Sequence, residues 1–102
     1  MKKSIGQETE QILTTKYRLT GSVQNVGFRY FLAQKAKQLS VCGWGKNEND
    51  GSLIVLFSGE REAVRKMLEC AQNGPPSAVV SNFVELIVED GDIPNENNFE
   101  QR

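Results

Sequence analysis

The order of two hydrophobic periodicities along the chain constrains its fold more than any other feature. In some stretches apolar residues recur at every second position, which is typical of half-buried strands, and in others they recur at helical spacing. The predicted strands are residues 16–23, 42–46, 53–57 and 77–88, of which 53–57 is apolar on both faces. The predicted helices carry the stripes Phe28, Phe31, Leu32, Ala36, Leu39 and Ala63, Val64, Met67, Leu68, Ala71. The predicted order is strand–helix–strand–strand–helix–strand.

This order predicts a ferredoxin-like α+β sandwich. Two βαβ halves of similar length place two helices on one face of an antiparallel sheet of four to five strands, in the order βαββαβ. A chain of 102 residues has room for one such domain. Because the fold supports many unrelated functions, it predicts no chemistry by itself.

Three segments are predicted along the chain. Residues 1–14 are polar and lack periodicity, which indicates a flexible leader before a domain at residues 15–90. Residues 91–102 are expected to form an acidic tail, with only Ile93 and Phe99 as apolar anchors. Ser58 or Gly59 is predicted to cap the second helix. In the last strand one apolar face is expected, formed by Ala78, Val80, Val84, Leu86 and Val88.

The chain contains no histidine, and this limits its chemistry. Ser-His and Cys-His nucleophiles, histidine bases and ordinary zinc sites are excluded. Cys42 and Cys70 lack CxxC spacing and are too few for a disulfide framework, so we expect free, buried thiols in a reducing compartment. The basic start of the chain is not followed by an apolar h-region, and no apolar run approaches the roughly 20 residues of a membrane span. These features favour a cytoplasmic protein.

Charge is distributed unevenly. No acidic residue lies between Glu10 and Glu48, whereas this stretch contains Lys16, Arg18, Arg29, Lys35, Lys37 and Lys46. The pattern indicates either a solvated basic face or a field that attracts a small anion. A sequence pI near 5.5 makes nucleic acid a weak candidate for that anion.

The segment GSVQNVGFR at residues 21–29 lies where the first strand turns into the first helix. Such a turn directs backbone N–H groups outward at the positive end of a helix dipole, which is a geometry that binds phosphate. Arg29 falls in the first helical turn, where a cation is unfavourable by about 0.3–1 kcal/mol unless an anion lies beside it. Its guanidinium suits a bidentate contact with phosphoryl oxygens. The alternative is an ordinary surface arginine after a glycine-containing turn.

The segment GWGKNENDG at residues 43–51 lies at the end of a strand and ends in an Asp-Gly hairpin signal. Asn47 stands where the strand enters the turn. Because an amide both donates and accepts hydrogen bonds, Asn47 can hold a water molecule in a fixed direction. The alternative is a simple turn-former.

Together the two segments resemble the acylphosphatase family. The family pattern is Gly-x-Val-Gln-Gly-Val-x-Phe-Arg, followed by Gly-Trp-Val-x-Asn-x-x-Asp-Gly. The matching positions are Gly21, Val23, Gln24, Val26, Phe28, Arg29, Gly43, Trp44, Asn47, Asp50 and Gly51. The two motifs occur in the correct order, and the resemblance covers roughly residues 15–90.

The resemblance implies an enzyme that hydrolyses acyl phosphates to a carboxylate and inorganic phosphate, without a metal or another cofactor. It implies phosphate binding by Arg29 and water positioning by Asn47. It also implies a phosphate-binding loop formed by Gln24, Asn25, Val26, Gly27 and Phe28. The expected partner is a small-molecule acyl phosphate, with neither nucleic acid nor a membrane, and the expected state is a monomer.

Three positions depart from the family pattern. Asn25 stands where glycine is usual; if the position needs a positive φ, asparagine costs up to about 1 kcal/mol. Gly45 replaces an apolar residue beside Trp44, which predicts a lost packing contact and a looser strand before Asn47. The end of the chain has Gln101 where the family has isoleucine, which makes a fifth strand doubtful.

Other interpretations remain open. The chain could be a phosphate- or acyl-phosphate-binding module that has lost turnover, with Asn25 and Gly45 as the cause. It could also bind single-stranded nucleic acid on its sheet, although the aromatic residues Tyr17 and Phe57 are expected in the core. Weaker candidates are a cation site at residues 48–50 and Cys42 as a nucleophile without a histidine partner.

Overall fold

Two helices pack on one face of a five-stranded sheet in the computed structural model, which describes residues 11–102. The elements are β1 (Ile12–Ser22), α1 (Phe28–Leu39), β2 (Cys42–Asn47), β3 (Leu53–Glu60), α2 (Arg61–Asn73), β4 (Val79–Leu86) and β5 (Phe99–Gln101). A short 3-10 helix, Asp90–Asp92, lies between β4 and β5. The predicted βαββαβ order and the ferredoxin-like α+β fold are confirmed. Neither helix is long and apolar enough to cross a membrane.

The strand order in the sheet is β4–β1–β3–β2–β5. The first four strands pair antiparallel, as predicted, and β5 joins β2 in parallel, which makes the sheet mixed. Leu53 at the start of β3 pairs with Leu19 of β1 on one side and with Asn47 of β2 on the other. The loop after β1 and the turn after β2 therefore lie at the same end of the sheet.

The main core lies between the helices and the sheet. Its buried residues are Leu19, Val23, Phe28, Leu32, Ala36, Val41, Leu53, Val55, Phe57, Val64, Met67 and Ala71. A second cluster on the opposite face contains Trp44, Ile54 and Leu56. Since β3 contributes alternate residues to both clusters, it is buried on both faces, as its continuous apolar run predicted.

The first strand begins earlier than predicted. The additional pairs are Ile12 with Glu60, Leu13 with Gly59 and Thr14 with Ser58. Residues 12–14 of the predicted leader therefore belong to the sheet, and residues 1–10 lie outside the described part of the chain. The physical reason is that residues 12–14 of β1 and the end of β3 satisfy one another's backbone groups by pairing. For the same reason Ser58 and Gly59 are strand residues rather than caps, and α2 begins after Glu60.

The prediction of one apolar face for the last strand is wrong. Thr20 pairs with Asn82 and Gly21 with Val80, so that Ser81 has no partner and forms a bulge. Because of this extra residue, side chains after Ser81 point to the opposite face of the sheet from the one that strict alternation would predict. Phe83 consequently faces the helices and stacks on Tyr17 at 4.4 Å between ring centroids, while Val84 is 53% exposed.

Gly21 explains why the bulge forms at this point. A Cβ atom there would lie 2.2 Å from the carbonyl oxygen of Val79, and the residue has a φ of +121°. Only glycine allows β4 to approach this closely with that backbone conformation.

The segment after β4 covers the opposite face of the sheet. Trp44 is 5% exposed, and its indole N–H donates a hydrogen bond of 2.8 Å to the backbone oxygen of Asp92. The Lys16 ammonium donates to the Asp92 carboxylate at 2.6 Å, and this hydrogen bond is the main cause that lowers the pKa of Asp92. The predicted acidic tail is thus anchored to the sheet. Ile93, an expected anchor, is exposed instead.

Phe99 is the other expected anchor, and it begins the doubtful fifth strand. Its ring lies 5.9 Å from that of Phe57, and its backbone pairs with Gly43 of β2. Backbone pairing rather than the side chain of Gln101 forms β5, so the substitution at that position does not prevent the strand.

Candidate active site

Two segments far apart in sequence meet at the end of the sheet where β1 and β2 both stop. Residues 23–27 connect β1 to α1, and residues 48–52 connect β2 to β3. The first connection supplies the beginning of a helix and the second supplies Asn47 as the last residue of a strand.

The loop before α1 takes left-handed backbone conformations at two positions. Asn25 has a φ of 64°, so the position does need a positive φ and asparagine meets the requirement. Gly27, at the N-cap, has a φ of 75° and cannot supply a side-chain cap. The loop therefore leads into α1 without a side chain that caps the backbone N–H groups of the first turn.

The first turn of α1 has backbone N–H donors but no acidic side chain to accept from them. Its earliest helical hydrogen bond runs from the Phe31 N–H to the Gly27 oxygen at 2.9 Å. The N–H groups of Phe28, Arg29 and Tyr30 precede this bond and have no carbonyl within the helix. No acidic side chain lies in the turn. The arrangement is a helix N-terminus suited to an anion.

Arg29 is the second residue of α1 and is half-buried. One guanidinium nitrogen, Nη1, donates to the backbone oxygen of Arg102. This contact holds the side chain beside the helix N-terminus, and the remaining N–H groups of the guanidinium are left for another acceptor.

A small cavity of about 110 Å³ brings these groups together. Its lining residues are Val23, Asn25, Gly27, Phe28, Arg29, Tyr30, Asn47 and Gln101. Arg29 and Asn47 thus share one cavity with the uncapped helix turn.

Two residues of the predicted phosphate-binding loop are absent from this lining. Val26 packs against the main core, because burying an apolar side chain away from water lowers its free energy. The Gln24 amide instead donates to the backbone oxygens of Glu48 and Ser52. Their side chains are directed away from the cavity.

Three lining residues were not predicted. Val23 and Tyr30 flank the loop and the first helical turn, so their positions follow once that turn is seen to surround the cavity. Gln101 had no sequence signal, because it reaches the cavity only through β5.

The turn after Asn47 is organised by Asp50. Its carboxylate accepts hydrogen bonds from the Ser52 N–H at 2.9 Å and from the Ser52 hydroxyl at 2.6 Å. The Ser52 hydroxyl is the main cause that lowers the pKa of Asp50, and Arg18 contributes. Among residues 11–102, no three His, Cys, Asp or Glu residues cluster as metal ligands. Because the Asp50 carboxylate accepts hydrogen bonds from Ser52 and Arg18, it stabilises the turn, which favours that interpretation of residues 48–50 over a cation site.

Gly45 is buried and does not leave the predicted gap. A Cβ atom there would lie 3.3 Å from Cγ of Arg29 and 3.3 Å from the ring of Phe99. The expected loss of packing is wrong, because Phe99 and the aliphatic part of Arg29 occupy the space that a larger side chain would fill.

A larger cavity of about 850 Å³ lies at the other end of α1 and includes Lys37, Ser40 and Cys42 in its lining. The Cys42 thiol donates to the backbone oxygen of Ser58 at 3.4 Å. Cys42 and Cys70 are free, as predicted, but both are half-buried rather than buried. The position of Cys42 separates it from Arg29 and Asn47, so it is not a nucleophile for that site.

The fold and the small cavity define an α+β domain with an uncapped helix N-terminus beside an arginine, and comparisons with known proteins identify its family. The acylphosphatase family model matches residues 15–101. An acylphosphatase of Acidiphilium cryptum is 41% identical over 71 residues, which are 70% of this chain and 78% of that protein. The chain belongs to the acylphosphatase family.

Solved structures agree with this assignment. An acylphosphatase from Coxiella burnetii has a TM-score of 0.73 and 33% identity, covering 89% of this chain and 93% of that one. An acylphosphatase from Bacillus subtilis has a TM-score of 0.74 and 29% identity, covering 90% and 99%. The resemblance predicted from the two motifs is confirmed, and with it the enzyme class.

Proposed function

We propose that Arg29 and Asn47 carry out the reaction of this family, the hydrolysis of an acyl phosphate to a carboxylate and inorganic phosphate. The observation that carries the proposal is the convergence of Arg29, Asn47 and the uncapped turn of α1 on one cavity. Family membership supports the activity itself, and the geometry supports the role of each residue.

Phosphate binding is assigned to Arg29 and the helix N-terminus. Backbone N–H groups point along the helix axis toward an anion, and the guanidinium adds charge and directed donors. Because these groups are fixed by the loop and by the contact of Arg29 with the Arg102 backbone, they need little reorganisation when phosphoryl charge is redistributed. An anion at this position also removes the unfavourable interaction of Arg29 with the helix dipole.

Water positioning is assigned to Asn47. Asn47 lines the same cavity from the opposite segment, so its amide can fix a water molecule against a phosphoryl group held by Arg29. Phosphoryl transfer passes through a loose transition state, and strong activation of the nucleophile is not required.

The leaving group explains how a chain without histidine can perform this hydrolysis. An acyl phosphate releases a carboxylate, whose pKa is near that of a glutamate side chain, about 4.3. Such a group departs without a general acid. Positioning and charge stabilisation by Arg29 and the backbone donors then supply the catalysis.

The small cavity has room for the phosphoryl group of the substrate but not for its acyl group as well. A volume of about 110 Å³ is a few times the share of one water molecule, about 30 Å³. It suits a phosphoryl group with its attacking water, so the acyl group extends beyond the rim into solvent. A simple acyl phosphate is therefore an adequate test substrate.

The first experiment is hydrolysis of acetyl phosphate by the purified chain in EDTA. We expect full turnover, because the proposed mechanism uses only Arg29, Asn47 and backbone groups. Loss of turnover in EDTA that Mg²⁺ restores would contradict the mechanism. Phosphate binding without turnover would instead support the alternative of a binding module.

The nucleic-acid alternative has little support in the sheet. Phe57 is fully buried, and Tyr17 stacks on Phe83 on the face that the helices cover. Neither aromatic ring is available for base stacking. A monomer that acts in the cytoplasm on a small molecule is our working expectation, which gel filtration and cell fractionation test.

A further inference from the structure

Gln24 joins the two segments that form the site. From the loop after β1, its Nε2 donates to the backbone oxygen of Glu48 at 2.7 Å and to that of Ser52 at 2.9 Å. An amide NH₂ group has two hydrogens, so both are used. Both acceptors belong to the turn between β2 and β3.

The same two oxygens also accept backbone hydrogen bonds within the turn. The Glu48 N–H donates to the Ser52 oxygen at 2.9 Å, and the Gly51 N–H donates to the Glu48 oxygen at 3.1 Å. Each of these oxygens therefore accepts one bond from within the turn and one from Gln24. Since Glu48 directly follows Asn47, a displacement of the turn relative to the loop moves Asn47 and breaks the bonds to Gln24.

We infer that Gln24 is a positioning residue, which acts on catalysis by holding Asn47 in place relative to Arg29 and the helix N-terminus. The inference rests on the function proposed above. Gln24 does not line the small cavity that contains Arg29 and Asn47. Its side chain therefore affects the reaction through the turn rather than by contact with substrate. Misplacement of a reacting group by about 1 Å can cost about 10² in rate.

The chemistry of the contact requires a side chain with two donors. A carboxylate of the same shape would direct two negative oxygens at two carbonyl oxygens, and both hydrogen bonds would become repulsive. Gln24→Glu therefore removes the connection while it keeps the size of the side chain.

The test compares Gln24→Glu with Gln38→Glu, which makes the same charge change at an exposed position of α1. We expect the kcat of Gln24→Glu to fall by about 10–10²-fold, a larger factor than the accompanying rise in KM or loss of phosphate affinity. Gln38→Glu keeps the wild-type kcat. Melting temperatures show whether each variant is folded. Wild-type kcat in folded Gln24→Glu would overturn the inference.

The pH profile provides a second measurement. Once protonated, the introduced carboxyl group has one O–H donor and can restore one of the two bonds. The ratio of wild-type to Gln24→Glu kcat should therefore decrease as the pH falls from 7.5 toward the ordinary glutamate pKa of about 4.3. A ratio that stays constant over this range would contradict a role through hydrogen bonding.

A double-mutant cycle separates this inference from the proposed function. If Gln24 acts through Asn47, then Gln24→Glu should have little further effect on kcat in an Asn47→Ala background. Full additivity of the two losses would overturn the inference and leave the role of Asn47 intact. Wild-type turnover in Asn47→Ala would overturn both.

Discussion

The two ends of α1 differ in how their backbone groups are satisfied. At the C-terminal end, the N–H groups of Ser40 and Val41 fold back onto carbonyl oxygens of the last turn, including a bond of 2.9 Å from Val41 to Ala36. At the N-terminal end, Gly27 supplies no side-chain cap and the first turn contains no acid. One end of the helix is closed by its own chain, whereas the other leaves donors for a ligand.

Judged by cavity size alone, the C-terminal end of α1 would be the better candidate for a binding site. The cavity at the closed end measures about 850 Å³ and that at the open end about 110 Å³. Binding an anion depends on directed donors and positive potential more than on volume. Donor geometry, together with Arg29 and Asn47, therefore favours the open end as the proposed site.

The largest effect is expected for Arg29 at the open end. Arg29→Ala should lower kcat/KM by about 10³–10⁵, the range found when an arginine that stabilises phosphoryl charge is lost. Arg29→Lys keeps the charge but loses the bidentate donors, so phosphate affinity should also fall markedly. Steady-state kinetics and calorimetry with inorganic phosphate measure both. If phosphate affinity is unchanged in both variants, Arg29 does not belong to the site.

A smaller loss, confined to turnover, is expected for Asn47→Ala. If Asn47 orients the attacking water, kcat should fall by about 10²–10³ while phosphate affinity changes little, because Arg29 and the helix donors still hold the anion. The turn-former alternative predicts a loss of about 1 kcal/mol in the free energy of unfolding with normal kcat. Kinetics, calorimetry and urea unfolding on this one variant distinguish the two outcomes.

An effect on stability is expected at Asn25, whose positive φ shapes the open end. Asn25→Ala should lower the free energy of unfolding by about 1 kcal/mol, because alanine is strained in the left-handed region. Asn25→Gly should stay close to wild type, since relief of strain is offset by greater freedom in the unfolded chain. Urea denaturation measures the two changes. Equal stability of the alanine and glycine variants would show that the loop does not depend on this conformation.

The smallest effect is expected at the closed end. Lys37→Gln removes a cation from the last turn of α1 and from the larger cavity, and it should lower the free energy of unfolding by about 0.3–1 kcal/mol. Phosphate affinity and kcat/KM should remain within about twofold of the wild type. A tenfold loss of phosphate affinity would place the anion at the closed end and reverse the comparison.

Much of the fold could be predicted from local sequence. The alternating and helical spacings identified the order of the first four strands and the two helices, and the continuous apolar run of β3 identified the central strand. The two motifs placed Arg29 at a helix start and Asn47 at a strand end. These features depend on residues a few positions apart, whose geometry is fixed by the covalent chain.

The errors arose where distant segments meet. The bulge at Ser81 depends on the close approach of Val79 to Gly21, and it turned Phe83 rather than Val84 toward the core. The early start of β1 depends on pairing with the end of β3. Neither the alternation within β4 nor the local sequence of residues 12–14 contains that information.

The sequence by itself determined the elements of this protein and the residue types of its site. Tertiary structure alone decided that Arg29 and Asn47 share a cavity, that Gln24 connects their segments, and that Phe99 fills the space above Gly45. The physical reason is that periodicity records which face of an element is apolar. Hydrogen bonds and packing between elements depend on strand register and on bulges, which are set only when the strands pair.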